Sequence, residues 1–245
     1  MTLAAVTKND FRPKTAKQAE RAFARKAALT SDLFDRLSVE AKQHAFRIAG
    51  VHKARLVQQA RDVVHRAIRD GTSIHDVQIE LLKLFATDGI APPALYRLRY
   101  AFELNAHQAY CDGRREALDE PDNARVFPYR QYLTVGNGSP GVRGVRPTHA
   151  ALHGLVFKWD DPFWNDHTPP WEHGCRCTFR GLTRKQVAKL GVKIRNDEYV
   201  KKRIRVRGQR KRGIQPNPQF VRGAFNLKGL DAEIRKLVEE MMKEG

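Results

Sequence analysis

The sequence predicts an α+β fold: a largely helical N-terminal half, a small loop-rich α+β subdomain with short strands, and a C-terminal helix. Three observations predict it. Apolar residues recur at helical spacing through residues 14–119. After Pro121 the composition turns aromatic and β-branched, and glycine and proline become frequent. Residues 230–243 return to an amphipathic helical pattern.

The elements follow in order. Residues 1–13 read as a flexible N-terminus, and 14–120 as the helical domain. Residues 14–37 are rich in Ala, Lys, Arg and Glu, which are good helix formers. Between Val39 and Arg69, the positions Leu56, Ala60, Val63, Val64, Ala67 and Ile68 fall on one stripe, and Gly71 ends that helix. Ser73 and Asp76 resemble a capping box opening a helix that carries Ile74, Val77, Leu81, Leu82 and Phe85, with Gly89 closing it. Pro92-Pro93 introduces a further helix with Leu95, Leu98, Phe102, Ala106 and Ala109 in register, stopping before Pro121. Such stripes are core, not ligand sites.

Residues 121–195 read as the loop-rich subdomain. The run 125–135 (RVFPYRQYLTV) has strand composition, and 136–144 holds four glycines and a proline, so it is a loop. Pro147 suits the first turn of a short helix bearing His149 and His153, closed by Gly154. Residues 155–159 and 177–179 are short strand candidates; Thr183 and Gln186 form a capping box for a helix ended by Gly191. Residues 196–229 are a basic tract and turn-rich linker, and 230–245 the terminal helix, with Ile234, Leu237, Val238, Met241 and Met242 on one face.

Bulk properties narrow the function classes. A net charge of +18 and a pI near 10.2 favour polyanionic partners, nucleic acid first. Three cysteines, an odd number, argue against a disulfide framework and fit a reducing compartment. No apolar run is long enough for a membrane span, and the first residues are too weakly apolar for a secretory leader, so the expectation is a cytoplasmically made protein with no membrane partner.

Chemically loaded residues concentrate in 145–181. All three tryptophans (Trp159, Trp164, Trp171), Cys175 and Cys177, and His149, His153, His167 and His173 lie there. His149 and His153, spaced i, i+4, share a face of a helix. Cys175 and Cys177, spaced i, i+2, share a face of a strand. Together the four make a candidate zinc site of two imidazoles and two thiolates. An extended i, i+2 pair has Cα atoms nearly 7 Å apart, so a bend at Arg176 is required. The alternative is two buried thiols and hydrogen-bonded histidines pinning the subdomain. Arg176 points away from the cysteines, either bridging Asp160 or Asp161 or lying exposed. The tryptophans read as subdomain core before docking surface.

The tract 201–212 (KKRIRVRGQRKR) is the nucleic-acid candidate: Lys201, Lys202, Arg203, Arg205, Arg207, Arg210, Lys211 and Arg212. Arg203, Arg205 and Arg207 alternate with Ile204 and Val206, so an extended chain lines the arginines on one face, suited to phosphates without sequence readout. The competing reading is a solvated charge run.

The order of motifs resembles the Mu F-like minor head proteins of the tailed-phage head morphogenesis family. Phe127–Val135, Pro147 with His149, the His153-Gly154 step, Asp160-Asp161-Pro162-Phe163-Trp164, Pro169-Pro170 and Cys175-Arg176-Cys177 carry the resemblance. It extends over about 60–220, with Gly71, the Gly89 break and Tyr110–Arg114 as the helical lead-in. Two departures stand out: 138–144 is longer than the usual turn, and 218–223 (PQFVRG) only loosely resembles the family's downstream Phe-Asp-x-Asn-Pro-Gly. The resemblance implies a low-copy virion protein assembled in the host bacterial cytoplasm and placed in the head interior or at the portal vertex. It implies contact with the portal protein, with the major capsid or scaffold protein and with packaged double-stranded DNA, and no catalytic activity. Two rivals remain. One is a metal-dependent nuclease or toxin domain using the His149/His153/Cys175/Cys177 cluster, though no His-Glu-x-x-His base is evident. The other is a non-virion DNA-binding protein, though no helix-turn-helix or zinc-finger spacing is found.

Overall fold

The computed structural model describes residues 13–134, 145–218, 220 and 227–244. The expected flexible N-terminus, the glycine-rich loop and most of the 218–223 motif lie outside the described residues. Two compact units emerge: a helical unit from Pro13–Gly113 with Arg222–Gly245, and a motif unit from Arg114–Val221. The terminal helix, expected as a separate segment, clusters with the helical unit. No helix among the described residues is long and apolar enough to cross a membrane.

The helical unit contains α1 (Pro13–Ala24), α2 (Ser31–Asp35), α3 (Val39–Lys42), α4 (Ala54–Asp70), α5 (Ile74–Thr87), most of α6 (Leu95–Asp119) and, at the end of the chain, α11 (Leu227–Glu244). The stripe on α4 is buried at Leu56, Ala60, Val63, Val64 and Ala67, joined by Val57; Ile68 is half-buried. On α5, Val77, Leu81 and Phe85 are buried. Gly71 caps α4 in the left-handed conformation, and the Ser73 hydroxyl accepts from the Asp76 N–H to open α5.

The helical stretches expected over 14–37 and 39–69 are divided further. Thr30 and Ser38 take extended N-cap conformations and restart the chain. Two-residue parallel strands β1 (Ala27–Ala28) and β2 (Ala45–Phe46) pair between the short helices. Leu95, expected on the α6 stripe, is exposed, because the buried face starts at Leu98. The core joins Leu29, Leu33, Leu37 and Ala41 to Ile234, Leu237 and Met241 of α11. Arg36 pairs with Glu240, and Glu233 accepts from the Ser38 N–H at 2.6 Å. A Cβ on Gly113 would lie 2.5 Å from the Gln18 backbone, so α1 crosses α6 where only hydrogen fits.

The motif unit carries α7 (Pro121–Val126), β3 (Tyr129–Leu133), α8 (Pro147–Leu152), β4 (Val156–Lys158), α9 (Phe163–His167), β5 (Thr178–Leu182), α10 (Arg184–Leu190), β6 (Ile194–Arg195) and a π-type turn, Tyr199–Arg203. Its sheet runs β5-β3-β4-β6; β3 is antiparallel to both neighbours, and β4 pairs with β6 in parallel. The strand expected from 125 starts at Tyr129, because Pro121 occupies the first turn of α7 and Arg125 and Val126 continue that helix. Thr183 and Gln186 form the full reciprocal capping box of α10.

Rings fill the centre of this unit. Phe157 stacks on Phe163 with centroids 3.9 Å apart, and Trp164 and Phe179 pack beside them. Trp164 is fully buried and donates its indole N–H to the Lys158 carbonyl at 2.9 Å. Arg130, also fully buried, pairs with Asp119 and lies over the Trp164 and Phe179 rings. The Arg115 guanidinium donates to the Trp164 carbonyl at 2.9 Å and to Asn165 Oδ1 at 3.0 Å, tying α6 to α9.

Candidate metal centre and basic surface

Pro147 opens α8 at its first turn and sets His149 into the interior, where it is 2% exposed. The imidazole stacks on Trp171 at 4.0 Å and 8°. Its Nδ1 lies 3.2 Å from Cys177 Sγ and 3.7 Å from Cys175 Sγ, and its Nε2 lies 3.2 Å from a Glu172 carboxylate oxygen. Both cysteines are buried. Arg146 pairs with the same carboxylate at 3.3 Å. Trp171 donates its indole N–H to the Tyr132 hydroxyl at 2.6 Å. Burial pushes the Tyr132 pKa well above its ordinary value, so the phenol keeps its proton and bonds Cys177.

The turn of this segment lies at Glu172–Gly174, just ahead of Cys175. Cys175–Cys177 precedes β5 in irregular conformation, following a turn in which the Cys175 N–H bonds the Glu172 carbonyl. The two sulfurs and His149 Nδ1 all lie within 4.8 Å of one another. Burial alone would raise the Cys175 pKa, but hydrogen bonds from Cys177 and His149 outweigh it and hold the thiol well below its ordinary range.

Three of the four expected ligands therefore meet; His153 does not join them. Helix α8 has six residues and ends at Leu152, so His153 sits at the C-cap with extended backbone and leaves the helical face. Its Nδ1 accepts the Thr134 N–H at 3.0 Å, and burial lowers its pKa, favouring the neutral acceptor. Gly154 follows, its N–H on the Tyr132 carbonyl.

Arg176 is exposed, and no bridge to Asp160 or Asp161 forms among the described residues. The alternation that buries both cysteines turns Arg176 outward. Asp161 instead accepts the N–H groups of Phe163 and Asp197, each at 3.0 Å, anchoring α9 to the chain after β6. Asp160 is exposed and adds charge attraction to Arg130. Pro170 is buried after Pro169, across a cis peptide bond.

Sequence reasoning missed a second cluster. His167 is 0% exposed, stacked on Phe163, and neither ring nitrogen has a hydrogen-bond partner among the described residues. Burial lowers its pKa to about 4. Asp166 and Asp197 stand beside it, but the Lys201 ammonium lies 2.6 Å from one carboxylate and 2.9 Å from the other. A cation already occupies that pair, and the carboxylates raise the Lys201 pKa against its burial. Glu172 and Tyr132 were missed too, since no periodic pattern links them to the cysteines.

The basic tract keeps its alternation outside any sheet. Ile204 and Val206 are buried; Arg203, Arg205 and Arg207 are exposed. The segment folds back on the π-type turn: the Gly213 N–H donates to the Ile204 carbonyl and the Ile214 N–H to the Val200 carbonyl, each at 2.9 Å. Gly213 has φ +95°, and any Cβ there would collide with the Lys201 carbonyl, so glycine is required. Lys201 and Lys202 pair with acidic neighbours. Arg203, Arg205, Arg207, Arg210, Lys211 and Arg212 are exposed and have no acidic partner among the described residues.

Comparison with known proteins bears on the His149 cluster and not on the basic tract. Residues 58–180 match the family described as "Phage Mu protein F like protein". The "Putative capsid assembly protein F" of Escherichia phage Mu is 28% identical over 182 residues, covering 68% of this chain and 40% of that protein. The "Mu-like prophage FluMu F protein" of Haemophilus influenzae is 27% identical over 170 residues, covering 64% and 39%. The chain spans about two-fifths of the length of these curated relatives. No solved structure matches. The family match covers half of the chain, from α4 through β5, and takes in the buried His149 and both cysteines: the chain belongs to the Phage Mu protein F like family.

Proposed function

We propose that this chain is a minor structural component of a tailed-phage head, located at the portal vertex, contacting packaged DNA and acting in head morphogenesis or DNA ejection. The observation that carries the reading is the ordered motif series of 127–181, which lies almost wholly inside the family match. A relative named as a capsid assembly protein supports the head role. The exposed cations of 203–212, held on a folded anchor, support contact with DNA phosphates without base readout. The partners in this reading are the portal protein, the major capsid or scaffold protein, and double-stranded DNA.

The role is structural and not enzymatic. Glu172, the carboxylate nearest the cluster, is engaged by His149 and Arg146, so it is not a free general base. Two experiments test the proposal. Cross-linking in purified particles joins this chain to the portal protein if it sits at the vertex; recovery of cross-links to tail proteins instead refutes the location. Plasmid DNA incubated with the purified chain and divalent metal stays intact; metal-dependent cleavage that a His149→Ala variant loses establishes the nuclease reading instead.

A further inference from the structure

We propose that His149 Nδ1 and the Cys175 and Cys177 thiolates bind one zinc ion, with a water molecule at the fourth corner. The distances already fit. Zinc held at about 2.3 Å from sulfur and about 2.0 Å from nitrogen gives tetrahedral N–S edges of about 3.5 Å. The observed edges are 3.2 and 3.7 Å. The third edge, sulfur to sulfur, lies within 4.8 Å, against about 3.8 Å in a tetrahedral site.

The surroundings are those of a metal-bound imidazole. With Nδ1 on the metal, Nε2–H is the donor, and it faces the Glu172 carboxylate at 3.2 Å. This carboxylate–histidine–metal chain fixes the ring's tautomer and orientation. Trp171 stacked on one face and Pro147 at the helix start fix its position. The sulfurs are similarly supported: the Cys177 N–H bonds Cys175, and the Tyr132 hydroxyl bonds Cys177.

Charge balance selects the ion. Zn²⁺ with two thiolates and a neutral imidazole is neutral overall, so a buried pocket needs no further counter-charge. On binding, each thiol loses its proton to solvent, and no electron moves. Soft sulfur donors disfavour magnesium and calcium, which take oxygen ligands. Among the described residues no further His, Cys, Asp or Glu joins the three donors. The glycine-rich stretch 135–144 contains none of these types, which leaves the fourth corner to water. The ion's role is structural: it clamps α8 to the segment entering β5.

The test uses the full chain purified without chelator. Elemental analysis should give about one zinc per chain. Cobalt exchanged into the site should show thiolate-to-metal charge transfer and tetrahedral d–d bands. Cys175 and Cys177 should resist alkylation until a chelator removes the ion, and removal should lower the melting temperature by roughly 10 °C. Glu172→Gln should fold and hold zinc about 10- to 100-fold more weakly in a chelator competition, the usual effect of losing an outer carboxylate. This variant and the wild-type alkylation assay keep the proposal falsifiable if cysteine variants do not fold. Absence of stoichiometric metal after zinc reconstitution would overturn it. So would a different stoichiometric metal, zinc retained by a Cys175→Ser/Cys177→Ser variant, or a Cys175–Cys177 disulfide in the reduced preparation.

Discussion

The helical unit and the motif unit solve the same problem by different means. In the helical unit, one apolar face per helix is enough: Val63, Val64, Ala67, Val77, Leu81 and Phe85 recur at three- and four-residue spacing and are buried. The motif unit has short strands and five- to seven-residue helices, too short to hold themselves. It is held by rare residues used once each: Arg130 on Asp119 beneath Trp164, Asp161 accepting two N–H groups, His149 between Trp171 and two thiols. Periodic packing distributes stability over many replaceable methyl groups. Single-use contacts concentrate it, and the same concentration places reactive groups together in the interior.

That contrast is open to test. Trp164→Ala should cost about 4 kcal/mol, since it opens a cavity among stacked rings and removes one of the two N–H groups on the Lys158 carbonyl, leaving that of Asp161; Leu81→Ala in α5 should cost about 3 kcal/mol. Denaturant titration of both variants measures the difference. A Trp164→Ala variant as stable as wild type would erase the distinction.

His167 gives the next largest effect. Its pKa is lowered from 6.5 to about 4 by burial, so the unfolded chain takes up the proton first as pH falls. Its stability contribution is complete above pH 6.5 and is lost progressively between 6.5 and 4, amounting to about 3 kcal/mol. His167→Phe preserves the stacking on Phe163 and should flatten stability against pH across that window. An unchanged slope would mean that other groups carry the acid sensitivity.

DNA binding should follow. If about half of the eight cations in 201–212 meet phosphate, log affinity falls against log salt with a slope of roughly −4. Replacing Arg203, Arg205 and Arg207 with Gln should flatten the slope by about 3. Equal slopes would reduce the tract to a solvated charge run, and preference for one of two unrelated duplexes would favour a sequence-reading regulator. The smallest effect concerns caps. Thr183→Ala breaks a reciprocal box and Ser73→Ala a one-sided cap, so their costs should be about 1.5 and about 1 kcal/mol. Equal losses by thermal melting would remove the advantage assigned to reciprocity.

The helices were legible in sequence because burial on α4 and α5 follows a fixed period, and because Gly71, Ser73, Thr183 and Gly191 carry standard cap chemistry. The breaks before α4 were not, since two-residue strands have no period to read. At the candidate site, rarity and clustering in sequence mark His149, Cys175 and Cys177, and the fold brings their donor atoms within 4.8 Å of one another. His153 was misplaced because i, i+4 pairing assumes a helix longer than six residues. Arg176 takes the exposed alternative, and the buried, paired guanidinium of this unit is Arg130 on Asp119. Glu172, Tyr132 and His167 join through tertiary approach alone, which no spacing encodes.

The head-protein reading faces its most direct test in the composition of particles. Quantitative mass spectrometry of purified DNA-filled heads should find this chain at a few copies per particle, far below the major capsid protein. Its absence from filled heads, with recovery only from empty precursors or from soluble lysate, would contradict the account.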